Sequence, residues 1–284
     1  MKDTLISSAE LQALLGQPEV VIVDCRFSLA DKEGGRKSYL QAHIPGAFYA
    51  HLDDDLSGAI IPGETGRHPL PSVEQASALF SSWGIGENTQ VIAYDQGHGG
   101  IAARLWWMLN WLGHEAVAVL NGGWPAWEAA GGPTEKEVPT KVQGNFMPTA
   151  QDELWIGPEE VEQLIEQADS LLIDSRAAAR YRGEVEPIDP IAGHIATAVS
   201  APFADNMSEG QFKSREALKE RFNALLGDHP AGEAVFYCGS GVTACHNLFS
   251  MKHAGLGLGK LYPGSWSEWI TRPSGKKVLP PDAD

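Results

Sequence analysis

The run VVIVDCR, Val20 to Arg26, returns about 150 residues later as LLIDSR, Leu171 to Arg176: an aliphatic, β-prone stretch that ends each time in Asp-x-Arg. Three further pairs keep the same order. AHIPGA with His43 matches GHIATA with His194, VIAYDQG with Tyr94 matches AVFYCGS with Tyr237, and LNGGW with Gly123 matches LYPGSW with Gly264. Four matched features at a nearly constant interval indicate duplication of about half the chain, a domain-scale repeat and not a solenoid. The expected organisation is a first domain over 1–132, a linker over 133–156 rich in Gly, Pro and charge, and a second domain over 157–284.

Within each half, short apolar runs alternate with helical patterns. Ile101, Leu105, Met108 and Leu112 recur at helical spacing, and Pro158-Glu-Glu opens another helix with proline and acids in its first turn. Strand-helix alternation predicts an α/β fold, each half a mostly parallel sheet with helices on both faces. Sites in such folds lie at the carboxyl ends of the strands.

Composition narrows the function. The 284 residues carry 21 Lys and Arg against 37 Asp and Glu, a formal net charge of −16, and such a field repels polyanions. Nucleic acid and acidic membrane surfaces are therefore not expected partners. The segment from Ile101 to Leu120 is interrupted by Arg104, Asn110, His114 and Glu115 and falls short of a membrane span. Asp3 and Glu10 interrupt the stretch that a signal peptide would need, so a cytoplasmic location is expected. Three cysteines, Cys25, Cys238 and Cys245, are too few for a disulfide framework or a four-ligand zinc site, and no metal is expected.

Chemistry concentrates in AVFYCGSGVTACHNLFSMKHAGLG, Ala234 to Gly257. An apolar strand delivers Cys238 into Gly-Ser-Gly-Val-Thr, and helical periodicity begins near Thr243 or Ala244. Gly239 and Gly241 let the loop curl so that successive N–H groups, continued by the helix start, converge on the sulfur. Such a cradle favours a thiolate, or an extra anionic sulfur carried on it, so Cys238 is the expected nucleophile. Cys245, seven residues on, cannot form a Cys-x-x-Cys redox pair with it, and Cys25 and Cys245 read as structural. A Cys-dependent phosphatase would need an Arg where this chain has Ala244. Gly255, Gly257 and Gly259 follow a helix instead of opening one and read as a cap and turn.

Tandem halves with Asp-x-Arg, Gly/Ala-His-Ile and one Cys-Gly-Ser-Gly-Val-Thr loop resemble the two-domain rhodanese sulfurtransferases, a likeness that covers nearly the whole chain. The resemblance implies two tandem rhodanese-like domains, the second catalytic, with Cys238 cycling through a persulfide and without a cofactor. It implies Ser240 as the loop hydroxyl beside the substrate, Gly239, Gly241, Val242 and Thr243 as the amide cradle, and Arg180 as the donor-binding arginine. Arg180 also stands out in the residues themselves, because Arg176, Arg180 and Arg182 form the densest basic cluster of an acidic chain. Arg182 and His43 are further candidates, His43 as a group that polarises the site. His68 and the acids Asp53, Asp54 and Asp55 receive no role.

The loop resembles the 3-mercaptopyruvate branch of that family; the thiosulfate branch carries a basic pair where this chain has Gly239 and Ser240. A second substrate arginine of the mercaptopyruvate branch is expected within EVEPIDP, where this chain places Asp189, a like charge whose replacement by Arg should tighten donor binding. Asp95 stands where the first half would need a cysteine, so that half should be catalytically silent. The expected partners are a small anionic sulfur donor, 3-mercaptopyruvate or thiosulfate, and a thiol, cyanide or thioredoxin-like acceptor. The alternatives are a thiosulfate-preferring sulfurtransferase on the same scaffold and a persulfide carrier that docks a protein partner without small-molecule turnover.

Overall fold

In both Asp-x-Arg runs the Asp is the last residue of an interior strand of a parallel sheet. The computed structural model describes residues 1–140, 143–167 and 169–278. In chain order its elements are β1 (Leu5–Ile6), α1 (Ser8–Leu14), β2 (Val20–Asp24), α2 (Gly34–Gln41), β3 (Phe48–Tyr49), α3 (Val73–Ser82), β4 (Gln90–Tyr94), α4 (Gly100–Trp111), β5 (Val117–Leu120) and α5 (Gly123–Ala129). There follow α6 (Pro158–Leu164), β6 (Leu172–Asp174), α7 (Ala178–Tyr181), β7 (His194–Ile195), β8 (Val199–Ser200), β9 (Met207–Ser208), β10 (Gln211–Phe212), α8 (Arg215–Leu226), β11 (Val235–Tyr237), α9 (Thr243–His253), β12 (Lys260–Leu261), α10 (Ser265–Trp269) and β13 (Lys277–Val278).

The chain forms two compact units. One comprises Met1–Gly58, Leu70–Gln151 and Glu209–Phe212; the other comprises Ala59–Pro69, Asp152–Ser208 and Lys213–Asp284. The first holds a parallel sheet in the order β1-β5-β4-β2-β3. Every residue of β4 is buried, so both faces of the sheet are covered, because successive side chains point to opposite faces. The second unit repeats the plan with the parallel order β12-β11-β6-β8, and β7 pairs antiparallel with β13. Ile156 donates to the Leu261 carbonyl at 2.9 Å beside a parallel bridge from Trp155, at the sheet edge that β1 occupies in the first unit.

Residues 143–151, in the stretch expected as linker, run along the first unit: Gly144 donates to Ser81, Thr149 to Leu112 and Gln151 to Trp111. Phe146 is buried there against Phe80 and His114.

The duplication extends to the hydrogen bonds. The Arg26 guanidinium forks onto Asp24 (2.6–3.0 Å), reaches the Ala42 carbonyl at 2.6 Å and lies 4.3 Å over the Trp124 ring. Arg176 does the same to Asp174, to the Gly193 carbonyl at 2.6 Å and over Trp266 at 5.0 Å. These buried, fully paired arginines tie the carboxyl ends of β2 and β6 to the loops and helices around them. Leu11, Ile44, Ile92, Trp124 and Trp127 fill the core of one unit, as Val161, Ile195, Val235, Trp266 and Trp269 fill that of the other.

Candidate active site

The fully buried strand β11 lies between β6 and β12 and leads directly into Cys238, where α9 is still five residues away, as the spacing of Gly-Ser-Gly-Val-Thr predicts. Cys238 is 2% exposed. Its N–H donates to Ser265 Oγ at 3.0 Å, and its carbonyl accepts from the Trp266 N–H at 3.0 Å. The next carbonyl, of Gly239, accepts from Ser267 at 2.9 Å. Gly241 has φ +75°, and a Cβ there would lie 2.4 Å from the Pro263 carbonyl oxygen, so only glycine fits this turn. Cys245, one turn into α9, donates its S–H to the Gly241 carbonyl at 3.3 Å and pins the loop from below. The N–H groups of Gly239, Ser240 and Val242 make no hydrogen bond among the described residues, and α9 begins directly after them.

The matching loop of the first unit displays what such a cradle binds. Asp95 Oδ1 accepts from the N–H groups of Gly97 and Gly99, both at 2.9 Å, and Oδ2 accepts from those of Ile101 at 3.0 Å and Ala102 at 3.3 Å. A buried carboxylate thus sits at the start of α4, at the position of Cys238, held by four backbone donors.

Ser240 is buried, and its Oγ lies 2.7 Å from Nδ1 of His68, itself 2% exposed. His68 belongs to the strip Ala59–Pro69, which packs within the second unit. The strip is fastened beside the loop: Arg67 N–H donates to Ser267 Oγ at 3.0 Å, and a Cβ on Gly66 would fall 2.4 Å from the Gly264 carbonyl oxygen.

Arg180 lies where the sequence put it, beside the loop: its Nη1 and Nη2 are 3.4 and 3.5 Å from where a Cβ of residue 239 would be. Arg67 comes as close, with Nη2 at 3.3 Å from the same point. Arg180 forks onto Glu186 (2.7–3.1 Å) and also donates to Asp189 Oδ2 at 3.0 Å, while Arg67 Nη1 donates to Asp189 Oδ1 at 2.6 Å. Burial works to raise the Glu186 carboxyl, but hydrogen bonds from Arg180 and from the N–H groups of Asp189 and Ile188 outweigh it and hold Glu186 below its ordinary value.

Asp189 therefore departs from the sequence reading. Its side chain is 2% exposed and both oxygens are taken by arginines, so it is a neutralised bracket and not a bare like charge. Replacement by Arg would set a third cation against Arg67 and Arg180, the opposite of the tightening expected from sequence.

Arg182 lies apart from the loop, half-exposed and paired with Glu184 at 2.6 Å. His43 is fully buried in the first unit, stacked on Tyr39 at 4.0 Å, with Nδ1 2.7 Å from the Tyr39 carbonyl and Nε2 3.2 Å from that of Glu137. Its repeat partner His194 stacks on Tyr181 at 3.9 Å with Nδ1 2.7 Å from the Tyr181 carbonyl. The same bonding in both units, one of them lacking a cysteine at the loop, assigns this histidine pair to the architecture. Cys25 is fully buried, where desolvation first and then Asp24, Asp95 and Asp55 push its thiol well above the usual range. No group of three or more His, Cys, Asp or Glu able to hold a metal occurs among the described residues.

Sequence reasoning missed Arg67, His68 and Ser265. The signal for the first two was an Arg-His pair in the proline-flanked loop GRHPLP, but nothing local says that this loop returns to a strand end some 170 residues downstream. Ser265 was hidden by register: sequence paired Gly123 with Gly264, yet Trp124 N–H bonds Asp95 as Trp266 N–H bonds Cys238, so Gly123 and Ser265 correspond. Both have φ +55°.

A family model described as rhodanese-like domain matches residues 7–130 and again 157–272. The chain is 46% identical over 271 residues to a probable 3-mercaptopyruvate sulfurtransferase of Pseudomonas aeruginosa, covering 95% of each. It is 33% identical to the thiosulfate sulfurtransferase of Bos taurus over 90% of this chain and 86% of that one. Its fold matches 3-mercaptopyruvate sulfurtransferase from Leishmania major with a TM-score of 0.82 and 32% identity, over 95% of this chain and 75% of that chain. With two matches that span most of its length and relatives this similar along nearly all of it, the chain belongs to the rhodanese family.

Proposed function

We propose that the protein is a sulfurtransferase that carries sulfur on Cys238 from a small anionic donor, with 3-mercaptopyruvate preferred, to a thiol or cyanide. The observation that carries this reading is the cradle: Cys238 occupies the loop position at which the sister unit holds a carboxylate by four N–H groups. A loop of this design stabilises negative charge on a thiolate, and equally on the outer sulfur of a persulfide.

With 3-mercaptopyruvate, the thiolate attacks the donor sulfur and an S–S bond forms. The C–S bond breaks, and its electron pair leaves as the enolate of pyruvate, which takes up the proton originally on the donor sulfur. Cys238 is left as an anionic persulfide. In the second half, cyanide or a thiolate attacks the outer sulfur, thiocyanate or a new persulfide departs, and the Cys238 thiolate returns. Ser240 Oγ, 2.7 Å from His68 Nδ1, is suited to relay that proton beside the loop.

Donor preference follows from charge. Glu186 and Asp189 offset the charges of Arg180 and Arg67, which leaves little surplus to bind a dianion such as thiosulfate but suits a single carboxylate. The test is intact-mass analysis after incubation with 3-mercaptopyruvate. Wild type should gain one sulfur atom on Cys238 and lose it to cyanide as thiocyanate; Cys238→Ser should gain none while melting as wild type does. Sulfur uptake by Cys238→Ser, or full turnover in it, overturns the assignment.

A further inference from the structure

We infer that Arg67 is the second donor-binding arginine of this site, delivered by the strip Ala59–Pro69 to the position that EVEPIDP leaves to an acid, and that Asp189 is its bracket. The inference rests on the sulfurtransferase reading and specifies how the donor's carboxylate is held.

Three observations carry it. Arg67 Nη2 and Arg180 Nη1 each make no hydrogen bond among the described residues, and both lie within 3.4 Å of the point where a side chain on residue 239 would begin. Two open guanidinium nitrogens thus lie beside the peptide next to Cys238, and each can give one donor to an oxygen of a carboxylate. Arg67 Nε is in addition buried without a hydrogen-bond partner, a state that buried donors adopt rarely. Finally, Asp189 fixes both cations at once, with Oδ1 on Arg67 and Oδ2 on Arg180, so the two forks are aimed before any ligand arrives. The absence of a side chain at Gly239 leaves clear the space beside both of them. The positive charge missing from the loop itself is brought in by a segment from far upstream, which distinguishes this site from one with basic residues after the cysteine.

The experiment loads sulfur onto the full-length protein in a single turnover, read by intact mass against donor concentration, for 3-mercaptopyruvate, thiosulfate and an uncharged organic persulfide. The persulfide delivers its outer sulfur to the Cys238 thiolate and releases its own thiolate, so it needs no carboxylate clamp. Arg67→Gln should raise the 3-mercaptopyruvate concentration for half-maximal loading at least tenfold and leave loading by the uncharged persulfide within about twofold of wild type. Arg67→Lys should fall between, since an ammonium keeps the charge and loses the fork. Should Arg67→Gln not fold, Arg67→Lys carries the comparison: its half-maximal concentration for 3-mercaptopyruvate should still rise while loading by the uncharged persulfide stays within about twofold of wild type. An unchanged half-saturation for 3-mercaptopyruvate, or an equal loss with all three donors, overturns the assignment of Arg67. A wild type that no donor loads overturns the sulfurtransferase reading itself, and this one with it.

Discussion

Replacing Asp189 by Asn removes one negative charge from a carboxylate that is 2% exposed and bound to two arginines, and its effect can be worked from the contacts. Asp189 accepts from Arg67 at 2.6 Å and from Arg180 at 3.0 Å. A hydrogen bond between charged partners is worth ~1.5–3 kcal/mol, and breaking a buried ion pair costs ~3–5 kcal/mol. Two features reduce that sum. Arg180 keeps its fork onto Glu186, and the arginine side chains retain 16% and 24% exposure, so water relieves part of the loss. A net destabilisation of ~2.5 kcal/mol remains, which in a unit of this size lowers the melting temperature by about 8 °C. Half-saturation by 3-mercaptopyruvate should rise alongside, because Arg67 loses the side chain that aims it. Asp189→Arg should be worse on both measures. Thermal melts of the full chain at neutral pH, paired with single-turnover loading, test both. A shift under about 2 °C in Asp189→Asn, or tighter donor binding in Asp189→Arg, would refute the bracket and restore the reading of Asp189 as a like charge at the donor.

Three further outcomes are expected. Asp95→Asn keeps the shape of the first unit's loop but turns an amide donor toward N–H groups that now face a carboxylate, and should cost ~3 kcal/mol in a thermal melt. Ser265→Gly relieves a positive φ while removing the acceptor of the Cys238 N–H, so stability should change by less than about 1 kcal/mol while kcat falls; Ser265→Ala, which keeps the strain and loses the bond, should melt lower than Ser265→Gly. Glu186 titrates below its ordinary 4.5 in the folded chain, so its contribution is complete above that pH and disappears as the pH falls through the lowered folded value. The melting difference between wild type and Glu186→Gln should accordingly be largest near neutrality and shrink as the pH falls below 4.5.

The architecture was legible because the repeated residues perform repeated physical tasks. Asp24 with Arg26 and Asp174 with Arg176 each form their ion pair within three consecutive residues, so their pattern survives in a one-dimensional reading. Cys238 and its glycines were legible for the same reason: strand end, turn and helix start are contiguous. Arg67 and His68 were not, because their role depends on a chain return that no local propensity encodes. Arg182 attracted notice through the density of charge around it, yet the three arginines before, on and after a short helix point in different directions, and of them Arg176 and Arg180 turn inward. His43 attracted notice by type, whereas its ring nitrogens are spent on carbonyls in a setting that His194 repeats.

The correspondence of Gly123 with Ser265 separates what the fold requires from what the site requires. At φ +55° glycine carries no Cβ penalty, and the unit without a cysteine uses glycine there. The unit with Cys238 places serine at the same left-handed angle and accepts the strain. Its hydroxyl takes the Cys238 N–H at 3.0 Å and donates to the Tyr262 carbonyl at 2.9 Å. No turn geometry demands that hydroxyl, since the sister loop closes without it. What it does is fix the peptide on which the cysteine rides, so that the sulfur keeps one position against the amides that follow it. An isolated strained serine would read as an imperfection; set beside its unstrained duplicate, it marks the half of the molecule in which the exact placement of one atom matters to the chemistry.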